Sequence, residues 1–172
     1  MSAAKGVVSI NEKRTGHERF NAALTRLSAA LSRSDFGQPV NGTTRYTVCV
    51  YGGSDELLAS MEVDRDGAVC GTAPCWKALG PKGFRYFDDE ASAGGIAKIV
   101  GKGGHAGRGQ VVVSGRNNSS KGETALPAEL TASLAGSRRA TLQVTTSDAA
   151  CFTATVTHIH KADRTEFRAT KP

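Results

Sequence analysis

Apolar and polar residues alternate along this chain in short bursts, separated by glycine-rich turns. Residues 44–51 (TRYTVCVY) put Tyr46, Val48 and Val50 on one face and Cys49 and Tyr51 on the other, the period of a strand. The same reading predicts strands over 6–12, with Val8 and Ile10 on one side, and over 57–63, 75–78, 84–87, 96–100, 110–115, 140–145 and 151–159. Residues 15–33 break the pattern. Phe20, Leu24, Leu27 and Leu31 fall at helical spacing, and Thr15 and Glu18 match a capping box, so a helix is predicted there. Residues 126–134 read as a helical turn begun by Pro127 or as an irregular crossing, and 161–172 as a polar tail in which Phe167 docks.

These elements predict a mainly β, antiparallel β-sandwich, jelly-roll or Ig-like, of about eight strands with one N-terminal helix. The chain of 172 residues is one domain by this reading: 6–40 a strand plus helix, 44–160 the sandwich, 161–172 the tail. No βα alternation repeats, which argues against nucleotide-binding α/β folds.

Aromatic residues are scarce, and the stretch from Cys70 to Asp89 holds Trp76, Phe84, Tyr86 and Phe87. That cluster reads as the pin between two sheets, with the alternative that some of its rings face out and stack on sugars or bases. The net charge of +6 fits ordinary solubility and leaves room for polyanion binding, although no block of like charges occurs.

The N-terminus MSAAKG lacks the apolar core of a signal peptide, and no run of 18 apolar residues predicts a membrane span. The cysteines point to an oxidising compartment. Their number is even, and CGTAPC is rich in turn residues. Four cysteines allow three pairings; the favoured set is Cys70 with Cys75 and Cys49 with Cys151, and four reduced thiols are the alternative. A chain whose leader is replaced by a start methionine reconciles the two observations and makes the destination extracellular or cell-surface.

Several constellations carry candidate chemistry. Residues 101–106 (GKGGHA) match a dinucleotide fingerprint by letter, but a strand follows instead of the helix that pyrophosphate binding needs, so a glycine-rich hairpin is expected. Its Lys102, His105 and Arg108 are candidate anion ligands. His158 and His160 share a strand face and are candidate metal ligands if a neighbour supplies a third. Asp88, Asp89 and Glu90 are candidate ligands for a cation. Asp64-Arg65-Asp66-Gly67 starts like a calcium loop but lacks its later ligands and reads as a plain turn. No nucleophile–base motif appears, so no cofactor and no catalytic residue are assigned.

The order of YTVCVY, CGTAPCWK, GFRYFDD, GGIAKIVGKGGHAGRGQVVVSG and CFTATV resembles uncharacterised β-rich domains of bacterial secreted or surface proteins. The resemblance implies an oxidising destination and a non-catalytic structural or accessory role. The resulting expectation is a non-enzymatic extracellular structural or adhesive subunit that self-assembles through edge strands or binds other surface proteins. The alternatives are a glycan- or polyanion-binding module, without specific nucleic-acid recognition, and a hydrolase whose site carries no motif.

Overall fold

A computed structural model describes residues 1–42 and 44–172. Alternation becomes strand nearly everywhere: β1 (Ala3–Asn11), β2 (Arg19–Leu27), β3 (Tyr46–Tyr51), β4 (Leu57–Val63), β5 (Val69–Cys70), β6 (Ala73–Pro74), β7 (Trp76–Ala78), β8 (Gly83–Phe87), β9 (Ile96–Lys102), β10 (Gly109–Arg116), β11 (Ala140–Thr146), β12 (Cys151–Val156), β13 (His158–Ala162) and β14 (Glu166–Lys171). One short helix, α1 (Leu130–Leu134), follows Pro127 as the sequence suggests.

The strands form an antiparallel β-sandwich of unequal sheets. The larger has eight strands in the order β13-β14-β1-β2-β10-β9-β8-β7, the smaller four in the order β12-β11-β3-β4. The inward residues of both make one continuous core, with Phe20, Leu24, Val111, Val113 and Ile99 from the large sheet meeting Val48, Val50, Leu142 and Phe152 from the small one. Each such side chain contributes roughly 1.5–3 kcal/mol by leaving water.

The predicted helix over 15–33 is a strand, β2, followed by a 3-10 turn at Arg33–Phe36. Phe20, Ala22 and Leu24 alternate inward at strand period, and Arg26 then adopts φ 56°, a bulge that returns Leu27 to the core. The spacing of Phe20, Leu24 and Leu27 therefore fits a helix by number while the chain is extended. Pairing on both sides, to β1 and to β10, outweighs the helical tendency of the alanines. The C-terminal segment is also not a free tail. Its strand β14 pairs with β1 from Gly6↔Lys171 to Asn11↔Glu166, and Phe167 is fully buried. Within 6–40, β1 and β2 are inner strands of the large sheet, and the segment beyond Leu27 returns over its end.

The stretch from Cys70 to Asp89 is the expected pin. Trp76 lies between Tyr46 and Tyr86, with ring centroids 4.7 Å and 5.1 Å away, and joins the two sheets. Cys70 and Cys75 form a disulfide immediately before it. Cys49 and Cys151 do not pair: both are free thiols. They sit on β3 and β12, and β11 runs between those strands, placing Cys49 opposite Gln143 and Cys151 opposite Thr145. Two strand spacings separate their Cα atoms by roughly 10 Å, beyond the ~7 Å a disulfide spans.

Three of the sheet edges, β7, β13 and β12, are short or partly covered, whereas β4 is a seven-residue edge. Thr153 of β12 donates its N–H to the Met1 carbonyl, and Ser2 bridges Thr153 in parallel, so the chain start lies along that edge. Gly94 packs against the backbone of Glu62 on β4, where a Cβ would stand 3.0 Å from the Glu62 carbonyl oxygen. At the ends of the large sheet, β7 has three residues and β13 has five with an irregular register. Such edges template neighbouring chains poorly.

Candidate functional site

A cleft of about 800 Å³ opens at the end of the large sheet where β9 turns into β10. Its floor is the glycine-rich connection, its walls the segment 30–35 and the turn at Pro81–Lys82. The connection is a β-hairpin, as the following strand predicts, and three neighbours hold it. Leu31 and Gly104 exchange N–H···O bonds of 2.8 Å, Gly103 donates to the Lys82 carbonyl at 2.7 Å, and Gly107 donates to the Leu27 carbonyl at 2.8 Å. Two glycines make this closeness possible. A Cβ on Gly103 would stand 2.2 Å from the Leu31 carbonyl oxygen, and one on Gly101 would stand 2.6 Å from the Phe36 ring. Phe36, fully buried and stacked on Phe152 at 5.2 Å, anchors the 3-10 turn that walls the cleft.

The cleft gathers Lys82, Lys102, His105 and Arg108 around a single carboxylate, Asp35. Asp35 is already engaged. Its Oδ2 accepts from the Ser32 backbone N–H at 2.7 Å and the Ser32 hydroxyl at 2.8 Å, and these bonds hold its carboxyl below the usual range. It caps the 3-10 turn and leaves the cations without an ion-pair partner among the described residues. Alongside, the Arg33 guanidinium sits 5.9 Å from the centre of the Phe84 ring. The three anion ligands expected from the sequence, Lys102, His105 and Arg108, therefore share one cleft. Sequence reasoning missed Lys82 and Asp35, which reach it only through the pairing of β8 with β9 and the return of 30–35 onto Gly104.

Ser32, Asp35 and His105 are also the residue types of a hydrolytic triad. Here the Ser32 hydroxyl donates directly to Asp35 at 2.8 Å.

The other candidates lie apart. Asp88 is buried, and its carboxylate accepts from the Ser92 N–H, the Ser92 hydroxyl, the Glu90 N–H and the Tyr86 hydroxyl. Burial and the Asp88 charge push the Tyr86 phenol well above its ordinary range, so it stays a donor. Asp89 instead turns out to Arg116 at 2.8 Å, and Glu90 is exposed. The run Asp88-Asp89-Glu90 is thus a turn fastened by Asp88, with its carboxylates diverging. His158 and His160 do share a face, with ring centroids 4.6 Å apart, and His160 Nε2 lies 3.0 Å from the Thr170 hydroxyl. Among the described residues no group of three His, Cys, Asp or Glu side chains converges on a metal position. Of the four clustered aromatics, Trp76, Phe84 and Tyr86 face the core, and Phe87 alone points out, 51% exposed.

The fold and cleft define the class of protein, an antiparallel β-sandwich of eight and four strands with a cationic cleft at one end of the larger sheet. No family model, curated protein or solved structure matches the chain. No helix among the described residues is long and apolar enough to cross a membrane.

Proposed function

We propose that this protein is a non-enzymatic extracellular adhesion module that holds an anionic group, a carboxylate, sulfate or phosphate, in the cleft at the β9–β10 turn. The observation that carries this reading is the set of four cationic or imidazole side chains around a carboxylate that Ser32 has already occupied. Cations that meet no internal anion keep their charge free for a ligand, and a hairpin held by three backbone neighbours spends little entropy when one binds. The Cys70–Cys75 disulfide and the resemblance to secreted bacterial domains support an extracellular setting. The short or partly covered edges at β7, β13 and β12 offer little for assembly by strand addition.

The test is binding of inorganic sulfate, followed by calorimetry at low salt. The wild type should bind, and H105A/R108A should reduce the affinity by about tenfold, as expected for losing two charge-assisted contacts. Equal affinity in the two proteins would remove the cleft as the site.

A further inference from the structure

The outer face of the large sheet carries a second arrangement of charge. The register aligns its outward residues in rows across the strands. One row runs Lys5–Thr25–Gln110–Lys102, from β1 to β9. Another runs Arg168–Ser9–Asn21–Ser114–Lys98–Phe87, from β14 to β8. Between them lies Val7–Ala23–Val112–Val100–Arg85–Lys77. Within these three rows the middle strands β2 and β10 present short neutral side chains and the flanking strands cations, and β2 and β10 carry their own cations, Arg19 and Arg116, at one end. A shallow furrow lies over β1, β2 and β10, where Val7, Ala23 and Val112 meet Ser9, Asn21 and Ser114.

The carboxylates at this face are already engaged: Lys13, Lys161 and Arg168 surround Glu166 at 2.7–3.0 Å, and Arg116 holds Asp89 at 2.8 Å and Glu123 at 3.7 Å. Lys5, Lys77, Arg85, Lys98 and Lys102 have no ion-pair partner among the described residues. Cations this numerous and unpaired on one flat face mark it for a polyanion.

The spacing narrows the polyanion. Lys5 and Lys102 stand three strand spacings apart, roughly 14 Å, and Arg168 and Lys98 four, roughly 19 Å. Lys98 and Lys102 are four residues apart on one strand, roughly 13 Å. Hydroxyls and amides that both donate and accept fill the gaps: Ser9, Asn21, Ser114, Thr25 and Gln110. Lys77 and Arg85 stand one strand spacing apart, roughly 5 Å, with Lys98 and Lys102 on the next strand, so a cationic end over β7–β9 continues into a row of hydroxyls and amides over β10, β2 and β1. Carboxylates carried on hydroxyl-bearing rings, as in an acidic polysaccharide, complement both parts. Phe87, exposed beside Lys98 and flanked by Arg85, adds a ring face on which a pyranose can lie.

We infer that the outer face of the eight-stranded sheet binds an extended uronic-acid polysaccharide, with acidic groups at Arg85, Lys98 and Lys102 and ring hydroxyls on Ser9, Asn21 and Ser114. This rests on the reading of the protein as an anion-binding module and extends it from one charge in the cleft to a chain across the face. Lys102 stands at the junction of the two.

The experiment titrates the whole protein with oligogalacturonates of two and ten residues, with neutral dextran and with a single-stranded oligodeoxynucleotide. The decamer should bind at least about tenfold tighter than the dimer, because it alone reaches both flanks. R85A/K98A should weaken decamer binding about tenfold. N21A/S114A should weaken it several-fold, an effect that charge attraction alone does not produce, and the melting temperature should stay the same in both variants because these side chains are exposed or half-buried on the outer face. H105A/R108A should lose sulfate while keeping most of the decamer affinity, so failure of the cleft and failure of the face are read separately. Equal binding of dimer and decamer, an unchanged R85A/K98A, or an N21A/S114A protein that binds like wild type would overturn the inference. Tighter binding of the oligodeoxynucleotide than of the decamer would assign the face to nucleic acid instead.

Discussion

Trp76 and Glu166 show how much a single residue decides here. Trp76 is 2% exposed between two tyrosines, yet its indole N–H has no hydrogen-bond partner. Its worth therefore lies in volume and ring packing. Trp76→Ala should cost roughly 3–5 kcal/mol in urea unfolding, and Trp76→Phe well under half of that, since the lost N–H bonds nothing. Glu166 works by charge. Its carboxylate takes hydrogen bonds from Lys13 and Lys161, with Arg168 adding attraction, and its pKa falls from the ordinary 4.5 to about 2. A carboxyl whose folded value is depressed stabilises the fold above its unfolded value and loses that contribution as pH falls through the folded one. The stability gap between wild type and Glu166→Gln should thus be full at pH 7, shrink below about 4.5 and vanish near 2. A gap that persists at pH 2 in chemical denaturation would show that packing, not charge, sets it. The burial of Val8, Ile10, Tyr46, Val48 and Val50 was readable residue by residue because alternation alone fixes their faces.

At the scale of elements, local pattern and pairing part company. Most strands were legible, since each has its own alternation. The strand β2 was not, because Phe20, Leu24 and Leu27 satisfy a helical spacing and the bulge at Arg26 leaves no mark in composition. The cysteines show the same limit. The Cys70–Cys75 link closes within one turn and could be read locally, whereas Cys49 and Cys151 depend on β11 inserting between β3 and β12, a long-range pairing. The short disulfide loop predicts a modest effect. Reduction, or C70S/C75S, should cost about 2 kcal/mol by the loop-entropy relation and leave the protein folded. The β9–β10 hairpin is the more sensitive element. Gly103→Ala would drive a Cβ into the Leu31 carbonyl, so it should cost roughly 1–3 kcal/mol and also loosen the cleft wall. Sulfate affinity should fall with it, and a variant that keeps wild-type stability and sulfate binding would show that the close approach is dispensable.

Across the whole molecule, charge is distributed along the strands of the large sheet. The end bearing Arg116 and Asn11 also carries Glu12, Glu18, Asp89 and Glu123, several of them bonded to backbone or arginine. At the opposite end, Lys82, Lys102, His105 and Arg108 line a cleft in which Asp35 is the one carboxylate among the described residues, and Lys5 lies in the same row as Lys102. The sequence showed a net charge of +6 without a basic block, and only the order β1-β2-β10-β9-β8-β7 turns scattered lysines into one surface. Backbone amide mapping by two-dimensional NMR during a sulfate titration tests the resulting account most directly. Shifts should be confined to residues 30–35, 81–82 and 102–108, growing with sulfate and suppressed by added salt. Shifts concentrated on the small sheet, over 47–62 and 141–155, or no saturable shift at all, would contradict it.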